Sequence, residues 1–250
     1  MQKITKLLAG HRPGTLLLAK WLEKHGISRA LQHRYLDSGW LESIGPGAFR
    51  RTGDEVTILG AVATLQQQAD SQLHPGAITA LELLGLAHYV RLAATNVWLF
   101  SPARKTLPSW LRNHDWKTDI RHYNTTFLPQ HVGLQDHVIG SFQLRISSAE
   151  RAAMECLYLA PDDMDLVEVR EIFTGLSAMR PKLLQLLLEQ CKSIKVKRLL
   201  LYLGDLTHAP WRQHIDRTRI DLGSGHRQLK PGGHYVSEYD LTIPEELAGS

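Results

Sequence analysis

The chain has 250 residues, 43% hydrophobic and 22% charged, which gives room for two small domains or one large one and enough apolar content for a full core. Two cysteines, Cys156 and Cys191, lie too far apart for a CxxC metal site, and they read as buried thiols rather than a disulfide framework. No run reaches the ~18 apolar residues of a membrane span, and MQKITKLLAGHRPG lacks the apolar core of a signal peptide, so the expectation is a cytoplasmic protein without a membrane partner.

Residues 2–9 have the pattern of a short amphipathic helix, broken by Gly10 and Pro13-Gly14. Thr15 reads as the N-cap of a helix to about Lys24, which His25-Gly26 stops. Gly26 suits a left-handed corner. Ser28 caps a second helix, about Arg29 to Leu36, with Ile27, Leu31 and Tyr35 as its buried stripe. At about 100° per residue the opposite side carries Arg29, Gln32 and His33, donors and acceptors fit for base edges in a major groove. Arg34 falls near the buried edge, with a phosphate contact at most. Residues 40–43 and 48–51 then read as two strands around the turn Ile44-Gly45-Pro46-Gly47, and Arg50 and Arg51 end the return strand where backbone phosphates would lie. Helix, turn, helix and hairpin make a winged helix-turn-helix.

Beyond it, 54–70 and 77–84 read as helices, and His88–Leu92, Asn96–Phe100, 121–128 and 142–146 as strands. A loop with a short helix fills 101–115, and 129–140 reads as loop. Helices follow at 149–158, 167–177 and 181–193, and again from Lys195, with leucines at 183–188 and 199–203 as core or interface. A Gly-rich strand-like stretch covers 218–241, and a loose tail covers 244–250. The fold class is therefore α/β in the α+β sense: a winged-helix domain with trailing helices over 1–95, then a mixed α/β domain over 96–250.

Charge is unevenly spread. Residues 1–53 hold nine Lys/Arg against three Asp/Glu, an excess of +6, and the total of +4 leaves −2 for the rest. A basic head on a faintly acidic body points to one end that meets phosphate.

Thirteen histidines are scattered without HExxH or finger-like spacing, so no metal and no cofactor is expected. Pro161-Asp162 with Glu168-Val169-Arg170 bears a faint likeness to a nuclease PD…ExK arrangement, but the segment is patterned as helix and arginine stands in place of the lysine. No phosphate loop, GxSxG or Rossmann fingerprint occurs. A targeted DNA-processing enzyme that uses a metal, and a winged helix used only for protein contact, are the alternatives.

The run LEKHGISRALQHRYLDSGWLESIGPGAFRR, followed by HPGAITALELLGLAHYV, resembles the N-terminal region of the AbiEi antitoxin family over about residues 10–100. The resemblance implies the antitoxin of a type IV toxin–antitoxin pair, not an enzyme. Such a protein represses its operon by binding double-stranded DNA at promoter inverted repeats and counters a nucleotidyltransferase toxin, without an obligatory stable complex. By the same resemblance Ser28, Arg29, Gln32, His33, Arg50 and Arg51 inherit the DNA role, and Thr15 donates to a phosphate from a helix N-terminus. The wing turn Gly45-Pro46-Gly47 carries no cation.

Overall fold

A computed structural model describes residues 2–87, 96–229 and 232–247. In chain order the elements are α1 (Gln2–Ala9), β1 (Leu17–Leu18), α2 (Ala19–Lys24), α3 (Arg29–Asp37), β2 (Leu41–Gly45), β3 (Ala48–Arg51), α4 (Ile58–Ala69), β4 (His74–Pro75) and α5 (Ala77–Leu83). Then come β5 (Asn96–Ser101), α6 (Ser109–Asn113), β6 (Asp119–Asn124), β7 (Leu134–Ile139), β8 (Phe142–Ser147), α7 (Ala149–Leu159), α8 (Leu166–Gly175), α9 (Pro181–Gln190) and α10 (Ile194–Leu206). Short 3₁₀ turns and three short strands, β9 (Arg227–Gln228), β10 (His234–Val236) and β11 (Leu241–Ile243), complete the described chain. The strand expected at His88–Leu92 lies outside the described residues.

The chain forms two compact units that interleave in sequence. The first comprises Met1–Pro75, Thr95–Asn124 and Asp136–Ile146; the second comprises Gly76–Ala94, Thr125–Gln135 and Ser147–Ser250.

In the first unit, β1, β3 and β2 form an antiparallel sheet in that order, with Leu17 opposite Phe49 and Glu42 opposite Arg50. Ile4, Leu8, Leu17, Leu22, Ile27, Tyr35, Leu41 and Phe49 form a core between this sheet and α1–α3. The helix expected to start at Thr15 starts at Ala19 instead. Residues 16–18 are extended because α4 satisfies their backbone: Leu16 N donates to Thr64 Oγ1 at 2.8 Å, Leu18 N to Gln68 Oε1 at 2.9 Å, and Gln68 Nε2 donates to Leu16 O at 2.7 Å. The Thr64 hydroxyl and the Gln68 amide thus complete the backbone pairing that sheet formation requires. Thr57 caps α4, accepting from Gly60 N. A second sheet, β4-β5-β6, pairs β5 and β6 in parallel. The stretch 129–140, read as loop, contains β7, which hairpins with β8. Its apolar residues, Leu134, Val138 and Ile139, do not alternate regularly with polar ones.

The second unit is mainly helical. α7 packs on α5, α9 and α10, and the leucine runs supply its interior: Leu184, Leu187, Leu188, Leu199, Leu200 and Leu203 are fully buried. Arg198, also buried, donates to the carbonyls of Leu222, Gly225 and Asp240 at 2.7–2.9 Å, which fixes the Gly-rich stretch by charge-assisted hydrogen bonds. The tail is anchored as far as Leu247, which is buried and whose carbonyl accepts from Tyr202 Oη at 2.9 Å. Both cysteines are buried and unpaired with each other. Burial raises both thiols, Cys191 to about 11.

Candidate nucleic-acid interface

α2 ends at His25, the chain turns through Gly26 at φ +80°, and Ser28 opens α3 by accepting from Leu31 N at 3.3 Å. A Cβ at position 26 would meet nothing, so the backbone angle alone favours glycine there. Ser28 therefore holds the first turn of α3, as its cap position requires.

The exposed face of α3 differs from the expected one at two residues. Gln32 is buried, 4% exposed, and its Nε2 donates to Ala19 O at 3.2 Å and Ile27 O at 3.0 Å. Arg34, placed near the buried edge by sequence, is exposed. The reason is rotational. The inward arc runs from Leu31 through Tyr35 and Gln32 to Leu36, so it is centred further round the helix than an Ile27–Leu31–Tyr35 stripe implies. Carbonyls at the start of α2 and in the turn make a polar socket there for a side-chain amide. The outward arc carries Arg29, Ala30, His33, Arg34 and Asp37. Gln32 is a strut of the helix-turn-helix, and a base contact from it is excluded by its burial.

Thr15 is corrected too. It is 4% exposed, its hydroxyl donates to Arg12 O at 2.7 Å, and no helix begins there, so it has no route to a phosphate. Beside it, burial lowers the pKa of His11, with Asp54 acting in the opposite direction.

Arg29 Nε donates to Glu23 Oε1 at 2.7 Å with the arginine side chain 81% exposed, a surface pair that a phosphate or guanine readily displaces. The hydrogen bond to Glu23 raises the pKa of Arg29, which stays cationic. Lys20, Lys24, His33, Arg34 and Arg51 are exposed, and among the described residues no side-chain hydrogen bond or ion pair engages them. Arg50 differs: it is half-buried and clamps Glu42 across the wing through Nε at 2.7 Å and Nη2 at 2.5 Å. Of the two wing arginines, Arg51 alone has no ion pair among the described residues.

The wing turn packs against α6. A Cβ at Gly45 would stand 2.8 Å from Trp110 Cβ and 3.1 Å from its Cα. Lys20, Lys24, Arg29 and His33 share a hollow of about 980 Å³ with Pro108 and Trp110. Sequence reading missed this neighbour, because Trp110 arrives from 65 residues downstream of Gly45.

Charge follows the compact units. The first has fifteen Lys/Arg against nine Asp/Glu, and the second has fourteen against sixteen. In the second unit Asp165 is engaged as the cap of α8, accepting from Val167 N and Glu168 N. Asp162 sits in the turn before it. Among the described residues no three metal-binding side chains cluster, and no helix is long and apolar enough to cross a membrane.

Two family models cover almost the whole chain. Residues 1–92 match the N-terminal domain of the AbiEi antitoxin transcriptional regulators, and residues 94–244 match the AbiEi antitoxin transcriptional regulator of type IV toxin–antitoxin systems. The chain belongs to the AbiEi antitoxin family. Its family is thus one of transcriptional regulators. No curated protein matches the chain. Among solved structures it is similar to the RV2827C protein from Mycobacterium tuberculosis, with a TM-score of 0.61 and 13% identity over 98% of this chain and 92% of that one. At that identity the likeness concerns the fold.

Proposed function

We propose that this AbiEi protein represses its own promoter by laying α3 in the major groove of inverted repeats, two copies on two half-sites, and that it counters a cognate nucleotidyltransferase toxin. The observation that carries this reading is the outward arc of α3, where Arg29, His33 and Arg34 stand exposed in the one unit with a strong positive excess. Arg29 and His33, nearest the N-terminal half of α3, read base edges. Arg34, Arg51, Lys20 and Lys24 hold phosphates, and Arg50 contributes only when it leaves Glu42. Ser28 sets the helix and has a hydroxyl hydrogen left to donate.

Arg29→Ala with His33→Ala is expected to reduce the preference for the upstream region over random duplex by about ten- to a hundredfold while preserving the salt dependence of non-specific binding. Arg51→Ala should weaken binding to every sequence and lower the slope of log K against log salt by about 0.9. Arg50→Ala should do less. Fluorescence anisotropy across a salt series measures all three; an Arg29/His33 variant with unchanged preference contradicts the assignment.

A further inference from the structure

We propose a second phosphate-binding patch on the first unit, formed by Arg104, Lys105 and Arg112, so that the DNA footprint continues past the winged helix onto the β5–α6 segment. The proposal rests on the DNA reading above and extends it to residues outside the helix-turn-helix.

The charge distribution points there first. Residues 95–124 carry five Lys/Arg, at 104, 105, 112, 117 and 121, against Asp115 and Asp119. That segment belongs to the same compact unit as the winged helix and supplies half of the unit's excess. Within it the cations differ. Lys117 is paired with Asp115, whereas Arg104, Lys105 and Arg112 are exposed and have no carboxylate partner among the described residues. Among the described residues the side chain of Arg112 has only a long contact, 3.5 Å, to Asn113 Oδ1.

The second ground is position. α6 is seated on the wing turn, with Trp110 buried and against Gly45. Pro108, Ser109 and Trp110 wall the same hollow as Lys20, Lys24, Arg29 and His33. Lys105 lies three residues before Pro108, hence within about 10 Å of it along the chain. Arg112 lies two residues after Trp110, about 200° round the helix from that buried side chain, and so faces outward. The path of exposed cations therefore runs from α2 and α3, past a wing turn that has none, to both flanks of α6. A wing normally sends its own tip toward the duplex; here α6 stands at that tip, with cations on either side of it. Exposed arginines and lysines on one compact unit are the groups that displace condensed counterions from a duplex backbone.

The test is the salt dependence of full-length protein on its own upstream duplex. The triple variant Arg104→Ala, Lys105→Ala, Arg112→Ala should lower the slope of log K against log salt by about 2–3 and leave base preference intact. A charge-matched control, Lys182→Ala, Lys192→Ala, Arg227→Ala, removes three exposed cations from the second unit and should leave the slope unchanged. An unchanged slope in the first variant, or equal losses in both, overturns the patch. Wild-type protein that does not distinguish its upstream region from random duplex overturns base reading by α3. In that case a slope loss confined to the first variant still upholds the patch as a non-specific phosphate site.

Discussion

Glu155→Ala is expected to lower the stability of the second unit by about 3–5 kcal/mol. Glu155 is fully buried, and its carboxylate accepts from Arg151 Nε at 2.8 Å, Ser147 Oγ at 2.7 Å and Ala77 N at 3.0 Å. Arg151, 5% exposed, continues the network by donating to Pro129 O and Val132 O at 2.7 and 2.8 Å. Three separate stretches of the unit, around residues 77, 130 and 150, are therefore tied to one ion pair. Removing the carboxylate leaves a buried guanidinium without its counter-charge and withdraws the acceptor from Ala77 N, at a residue already held at φ +45°. Glu155→Gln keeps acceptor capacity and should cost less. The double change Arg151→Met with Glu155→Leu removes both charges and should recover much of the loss. Urea denaturation of the three variants checks this; a double variant no better than Glu155→Ala would show that the loss comes from packing.

Gly60→Ala should destabilise the first unit by about 3 kcal/mol or more. Intrinsic propensity points the other way, because alanine in a helix interior is favoured over glycine by roughly 1 kcal/mol. At this position a Cβ would stand 1.8 Å from the carbonyl oxygen of Gly14 and 3.0 Å from its carbon. The obstacle is backbone, so α4 must move away from residues 14–18. That movement would break the bonds from Thr64 and Gln68 that hold residues 16–18 extended. The urea midpoint should fall and DNA affinity should fall with it; a variant as stable as wild type would mean α4 does not sit against Gly14.

The winged helix was legible because its signals are local. Gly26, the Ser28 cap, the wing turn and the clustered cations all lie within one stretch. The Ser28 cap holds in the structure, as does the α3–wing order. What escaped depends on distant partners. Residues 16–18 read as helix by their leucines and instead run extended into β1 because Gln68, 50 residues beyond Leu18, pairs with their backbone. Gln32 reads as polar, hence outward, but two main-chain carbonyls make burial favourable. Nothing near Gly45 announces Trp110. The interleaving of the two units has the same origin, since a sequence shows where composition changes and not which segment returns to which core.

The claim that α3 reads this protein's own promoter is tested most directly by anisotropy titration at physiological salt, comparing the upstream region of its operon with a scrambled duplex of equal length. A preference of about a thousandfold or more for the upstream region is expected, with two protomers per duplex. Equal affinity for the two duplexes would contradict it.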